Sequence, residues 1–419
     1  MDIQRELISR IIQKQDLKDV VDRRVKSSMF SDSEAKKVFQ WVLDFYRDYS
    51  SVPTIELVES EHPEYQLCYA KQPIPFYIDK LSELHAKNKV QEIILSEAPK
   101  LFKNPMETVG RLQTELTKVL LEGIPTQDVD ITQNATEQIK AFDKRKKQEA
   151  IDGLSMPWKT LTDVTRGKHG GQFFLTVARP KIGKTWQMVL NANHDFAVNN
   201  QDVLFISNEM SPEALRYRWY AIHFGINYTQ LKEGLLTDVD EKRFKSGLKE
   251  LEKCGKHFNI VSGAGLGVSA IAQKIQQYNP GMIYIDGIYL TSDDMRGKDI
   301  WARTTNVSRS IKQLCLRINK PIWASTQFSR SVNSKTVEAD LGDIGFADAY
   351  GQDPDLVLGM LQTKDMKVNK EMMEQVIAAR DCDIVSFKHM FDLSAMNFRD
   401  INEIAKEKYE SEEDEKLEF

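Results

Sequence analysis

Gly183, Lys184 and Thr185 close the stretch G-G-Q-F-F-L-T-V-A-R-P-K-I-G-K-T at residues 170–185. A glycine, an ammonium and a hydroxyl at consecutive positions suit a triphosphate. The glycine lets the backbone curl close to the phosphates, the lysine reaches the β/γ-phosphates, and the hydroxyl can bind Mg2+. The segment from Gln172 to Ala178 is apolar, β-branched and aromatic, as a buried strand is. A helical stretch from Trp186 to Val198 follows the turn, with Met188, Val189 and Ala192 as apolar anchors. Strand, glycine turn, Lys-Thr and helix is the layout of a phosphate-binding loop, where the unpaired amides and dipole of a helix N-terminus meet an anion. The candidate ATP-binding residues are therefore Ala178, Arg179, Pro180, Lys181, Ile182, Gly183, Lys184, Thr185 and Trp186. One position departs from G-x-x-x-x-G-K-S/T: Ala178 stands where the first glycine belongs.

Four further residues can serve the same chemistry. Asp286 closes the apolar run M-I-Y-I-D, where a carboxylate can support Mg2+ beside Thr185. Glu209, in F-I-S-N-E-M-S-P-E, can polarise an attacking water, or can simply favour the dipole of the helix that follows. Gln327 follows the run I-W-A-S-T and can sense the γ-phosphate. Arg380, in V-I-A-A-R-D, can act as an arginine finger on a neighbouring subunit's ATP.

The elements that must position these residues alternate. Val203–Ser207 reads as a strand, and Ser211-Pro212-Glu213 as a capped helix start. Strand His257–Val261, helix Val268–Tyr278, strand Met282–Ile285, helix Ala302–Ile318 and strand Ile322–Ser325 follow. Strands alternating with helices predict an α/β domain with a parallel central sheet, whose ligands sit at the C-terminal strand ends. Glu209, Asp286, Gln327 and the phosphate loop all fall there.

The first 122 residues read as a small all-α domain. Leu7, Ile8, Ile11 and Ile12 recur at helical spacing, as do Val38, Trp41, Val42 and Phe45. Ser31 and Ser33 are candidate caps before Glu34, and Thr54 before Ile55–Val58. Pro73 and Pro75 mark a loop, Tyr77–Leu84 and Val90–Ile94 a helical pair, and Val109–Leu120 a last helix. A polar linker at 123–151 carries a short helix over Asn134–Ala150, with Ile139 and Phe142 on one side and the basic cluster 144–147. That helix can dock on a neighbouring subunit or stay solvated. The ATPase domain is expected over 152–402, and an acidic tail over 403–419, either solvated or docking through Leu417 and Phe419.

Composition bounds the rest. At 419 residues the chain suits about two or three domains, and 41% hydrophobic residues support a packed core. A net charge of −5 leaves nucleic-acid contact to local patches. Its 4 cysteines are scattered without C-x-x-C spacing, which fits a reducing cytoplasm rather than a disulfide framework or zinc site. No apolar run reaches membrane-spanning length and no signal-like core follows Met1.

These segments resemble the DnaB-type replicative helicases, a hexameric branch of the RecA-like ATPases, and most of all their bacteriophage members. V-A-R-P-K-I-G-K-T looks like the family's Walker A, which itself carries alanine where Ala178 stands, and I-Y-I-D-G looks like Walker B. F-I-S-N-E-M-S-P-E-A-L is similar to the block with the catalytic glutamate, which falls on Glu209, with a downstream arginine matched by Arg218. S-T-Q-F-S-R matches the sensor block at Gln327 and Arg330. G-Q-D-P-D-L-V-L and the stretch from Asp152 to Gly171 also resemble family segments, so the likeness is specific over Asp152–Asp355. It implies a RecA-like ring ATPase, expected to be a hexamer, that hydrolyses ATP with Mg2+, grips single-stranded DNA and unwinds duplex, with primase and a loader as partners. A loader or regulator ATPase that does not unwind, and a filament-forming recombinase, share the same core. Two departures stand out. Ala378 occupies the place of a lysine usual two positions before the finger Arg380, and Gly345 and Phe346 replace an Arg-Glu pair in the DNA loop. Phe346 can stack on a base or be buried; the other candidate DNA contacts are Arg296, Lys298, Arg330 and Lys335.

Overall fold

The computed structural model describes residues 2–23, 25–122, 132, 135–147, 153–263, 265–295, 297–329, 338–345 and 349–401. The chain divides into two units, Met1–Gln133 and Asn134–Phe419. Most of the expected linker, residue 402 and the expected tail at 403–419 lie outside the described residues, as do Arg296, Arg330, Lys335 and Phe346.

The first unit contains α1 (Ile3–Lys14), α2 (Lys18–Asp22), α3 (Ser33–Tyr49), α4 (Ile55–Glu61), α5 (Ile74–Leu101) and α6 (Pro105–Glu122). The periodic residues of α1 meet Val38 and Val42 of α3 and Tyr77, Ile78 and Leu81 of α5 in one core. Thr54 caps α4 as expected, accepting from the Leu57 amide at 3.4 Å. Two expectations are corrected. The cap of α3 is Asp32, whose carboxylate accepts from the Ala35 amide at 2.7 Å, while Ser31 Oγ accepts from Gln4 Nε2 at 3.0 Å. A carboxylate one residue before the first helical position reaches an open amide and also suits the helix dipole. The expected helical pair is one 28-residue helix, α5. Pro75 sits in its first turn, where a missing amide costs nothing, and no breaker separates Leu84 from Val90.

The second unit continues with α7 (Ala135–Lys147), α8 (Lys159–Thr165), β1 (Phe173–Ala178), α9 (Lys184–Ala197) and β2 (Val203–Ser207). Then come α10 (Pro212–Phe224), α11 (Tyr228–Glu233), α12 (Asp238–Leu251), β3 (Phe258–Ser262), α13 (Val268–Tyr278) and β4 (Met282–Asp286). The last elements are α14 (Ile300–Ile318), β5 (Ile322–Gln327), α15 (Ala349–Gln352), β6 (Leu356–Leu361), α16 (Lys364–Val368), β7 (Glu371–Ala379) and β8 (Ser386–Met390). On α7, Ile139 and Phe142 are each 60% exposed.

Among the described residues the strands form one sheet in the order β3-β2-β4-β5-β1-β6-β7-β8. The pairs from β3 to β6 are parallel, whereas β7 runs antiparallel to β6 and β8 antiparallel to β7. The expected parallel sheet is thus extended by an antiparallel hairpin. Strands β1, β2, β4 and β6 are buried along their whole length, which explains their mostly apolar sequences. On one face Phe174, Trp323, Tyr284 and Phe205 stack in succession. A buried ion pair ties the segment before β1 to this core. Lys168 Nζ lies 2.7 Å from Asp195 Oδ1, and the Tyr284 hydroxyl donates to Asp195 Oδ2 at 2.5 Å. Burial pushes the Lys168 ammonium below its ordinary pKa, against the pull of Asp195.

Candidate nucleotide site

The loop between β1 and α9 has the backbone that phosphate binding needs. Gly183 is the N-cap of α9 at φ 113°, with no side-chain cap over the first amides. A Cβ there would lie 2.5 Å from Phe391 Cζ, so space and conformation both demand glycine. Gly183→Ala is expected to cost about 1–3 kcal/mol of stability, read as a lower melting temperature, and to weaken nucleotide binding; an unchanged melt would contradict this geometry. Lys181 also takes a left-handed φ of 66°. Ala178, by contrast, lies in regular strand, paired with Gln327 on one side and Met360 on the other, so its departure from glycine carries no strain.

Three strand ends converge on this loop. Lys184 Nζ lies 2.7 Å from Glu209 Oε1, beyond β2, and 3.9 Å from Asp286 Oδ1 at the end of β4. Thr185 Oγ1 donates to Asp286 Oδ2 at 2.7 Å. Ser325 Oγ, from β5, donates to Asp286 Oδ1 at 2.7 Å and accepts from the Gly287 amide at 2.9 Å. Gln327 Nε2 donates to the Tyr289 hydroxyl. Burial raises the Asp286 carboxyl above its usual pKa, with Lys184, Thr185 and Ser325 opposing. Burial also acts to raise Glu209, but the Lys184 charge and the hydrogen bonds from Lys184 and Tyr289 outweigh it and hold Glu209 low.

A cleft of about 740 Å³ opens over these residues. It is lined by Arg179 to Trp186, Glu209, Arg218 and Gln327, and also by Gln362, Lys367, Lys370 and the segment Phe391–Ser394. Arg179 Nη1 donates to the Ser329 carbonyl at 3.0 Å, and the Arg218 guanidinium lies 5.0 Å from the Trp186 ring centroid. The nucleotide-site residues predicted from sequence are therefore brought together.

Arg380 is not among them. It follows β7, whose last residue Ala379 pairs with Leu356 at the start of β6, whereas the phosphate loop leaves the sheet beside Met360. The arginine thus lies at the opposite edge of the sheet from its own cleft. Its Nε is 3.3 Å from Asp355 Oδ1 and its Nη2 donates to the Gln352 carbonyl at 2.9 Å. Among the candidate DNA contacts, Lys298 is exposed, and the Gly345 amide donates to the Gln327 carbonyl at 3.0 Å. Sequence reading missed Tyr289, Ser325 and Phe391. The first two sit three residues after Asp286 and two before Gln327, close enough to the motifs to have drawn notice.

A family model described as the DnaB-like helicase C terminal domain matches residues 153–400. The chain belongs to this family. The DnaB-like region is 28% identical over 265 residues to a probable replicative DNA helicase of Trieres chinensis, covering 61% of this chain and 58% of that protein. It is 29% identical over 239 residues to the replicative DNA helicase DnaB of Geobacillus stearothermophilus, covering 54% and 52%. The matches thus span little more than half of those relatives. The DnaB-like fold also matches a solved DnaB-like replicative helicase described with its interactions with primase, at a TM-score of 0.61 and 18% identity, covering 95% of this chain and 99% of that one. At that identity the likeness speaks for the RecA-like α/β fold alone. Among the described residues no helix is long and apolar enough to cross a membrane.

Proposed function

We propose that this chain is an ATP-hydrolysing replicative DNA helicase that works as a ring, with cytoplasmic residence. One observation carries the reading: Lys184, Thr185, Glu209, Asp286 and Gln327 meet at one edge of the sheet while Arg380 stands at the other. A closed ring of such subunits, each presenting one edge to the next, would complete every site with its neighbour's arginine. The family match favours this over a loader that does not unwind. A hexameric ring, single-stranded DNA, primase and a loader as partners, and a place among the bacteriophage members are carried from the motif resemblance.

The donor set fits Mg2+: a hydroxyl and a carboxylate 2.7 Å apart are hard oxygen ligands, and Ser325 orients the carboxylate. Mg2+ held by Thr185 and Asp286 would neutralise charge on the transferring phosphates. Lys184 pairs with Glu209 at 2.7 Å. A triphosphate on the α9 amides offers Lys184 a stronger anion, and Glu209 is then released to orient water. Arg179 to Gly183 cradle phosphate with their backbone, and Trp186 with Arg218 flanks the cleft. On the DNA side we assign contacts to Lys298 and Gly345, with Arg296, Arg330, Lys335 and Phe346 in adjoining segments.

The test is ATP turnover with and without single-stranded DNA, with the mass of the assembly read in parallel. Turnover stimulated by DNA in a closed hexamer is expected. A monomer or dimer whose turnover ignores DNA would overturn the helicase reading.

A further inference from the structure

The roles above leave out one side chain at the centre of the site. Tyr289 lies in a single 3-10 turn, Ile288–Leu290, opened by Gly287 at φ 86°. Its hydroxyl donates to Glu209 Oε1 at 2.6 Å and accepts from Gln327 Nε2. Its ring lies under Lys184, with Nζ 5.2 Å from the centroid. One side chain therefore touches three of the residues assigned to hydrolysis.

The bridge has a direction. A phenol carries one proton, and here it goes to the carboxylate, so the oxygen lone pair receives the Gln327 amide. Burial and the neighbouring Glu209 hold the phenol well above its ordinary pKa, so it remains a donor. The chain from amide to phenol to carboxylate polarises along its length and fixes which way the Gln327 amide points. Gly287 supports the arrangement, because a Cβ there would sit 3.0 Å from Glu209 Oε1. The same residue, Gln327, accepts the Gly345 amide on its backbone carbonyl at 3.0 Å, and the adjoining Phe328 bridges to Ile344. The strand end that holds the bridge also anchors the candidate DNA loop.

We propose that Tyr289 is a positioning residue that ties the orientation of Glu209 to Gln327 and, through that strand end, to the loop at Gly345. This rests on the hydrolysis reading. A terminal phosphate that engages Gln327 disturbs the same hydroxyl that holds Glu209, so phosphate sensing and water activation move together. Displacement of the Gly345 loop by DNA would reach Glu209 by the same path.

Tyr289→Phe in the full chain keeps the ring and removes the hydroxyl that makes the bridge. The expected result is a fall in kcat of about tenfold, as the loss of one hydrogen bond to a charged group implies, with KM for ATP unchanged and DNA stimulation reduced. Adding Gln327→Ala should cost little beyond either change alone. Wild-type kcat in Tyr289→Phe, or losses that simply multiply, would overturn the proposal. A second measurement needs no turnover: the melting-temperature losses of Tyr289→Phe and Glu209→Gln should be non-additive in the nucleotide-free protein, and additive losses would refute the bridge. Wild-type protein that fails to hydrolyse ATP would overturn the hydrolysis reading, while the melting cycle still reports on the bridge itself.

Discussion

Lys184→Ala is expected to reduce ATP turnover by at least about a thousandfold, because it removes the ammonium that the phosphate loop itself presents beside Glu209 and Asp286. Near-wild-type turnover would overturn the phosphate-loop assignment. The substitution also strips two carboxylates of a shared cation, since Lys184 lies 2.7 Å from Glu209 and 3.9 Å from Asp286. Asp286 already has its carboxyl raised by burial, so its ionised form weakens the fold at neutral pH, and without Lys184 that penalty grows. A group whose folded pKa is raised is at its most favourable for stability below its unfolded pKa, and that favour is lost as pH rises through the folded one. The melting deficit of Lys184→Ala should therefore be largest near neutrality and shrink as pH falls toward about 4, where unfolded carboxylates protonate. A deficit independent of pH would mean that the lysine acts by packing alone. Glu209→Gln gives the contrast: ATP still binds, and turnover falls by about a hundredfold or more, as for the loss of a general base. If binding is lost with turnover, Glu209 is structural.

The parts of the site that were legible before the structure share a physical origin. Strands β1, β2, β4 and β5 are covered on both faces, so their sequences are largely apolar and the residues at their C-terminal ends could be placed with the phosphate loop. The hairpin β7–β8 was not legible for the opposite reason. Its buried face carries Glu374 and His389, both wholly buried, where a strand pattern calls for apolar side chains. Glu374 accepts from Gln187 Nε2 at 3.0 Å and lies 3.1 Å from His389 Nε2, and the Trp158 ring packs tilted against the histidine with centroids 4.5 Å apart. Those partners come from α9 and from the segment before β1, distant in sequence, so no local window could show that a glutamate was satisfied indoors. Tyr289 escaped for a related reason, because its meaning lies in two hydrogen bonds to residues 80 and 38 positions away. In the first unit, the loop expected at Pro73 and Pro75 ends at Pro73, and Pro75 already belongs to the first turn of α5, where proline is at home.

Proteins carrying Arg380→Ala and Lys184→Ala, each inactive alone, should regain turnover when their subunits are mixed. The geometry requires a neighbour. The six residues of β1 span roughly 20 Å, and Arg380 leaves the sheet at the far end of that span, held by Asp355 at 3.3 Å and by the Gln352 carbonyl at 2.9 Å. No rotamer of a side chain anchored there reaches its own phosphate loop, so any service to ATP must be given across an interface. In an equal mixture assembled at random into head-to-tail rings, about a quarter of the interfaces pair an intact Lys184 with an intact Arg380. An arginine finger contributes about a thousandfold or more, so turnover should rise steeply from either pure variant to a maximum near equal proportions. Absence of recovery in assemblies shown to be mixed would remove Arg380 from catalysis and leave it as a surface partner of Asp355. Recovery would also weigh on Ala378, two residues upstream and paired with Val357 within the sheet, where the motif resemblance leads one to expect a lysine. Ala378→Lys in the wild-type background then asks whether one finger suffices. Unchanged turnover would mean that Arg380 alone meets the charge, and a gain would mean that this chain works with an incomplete set.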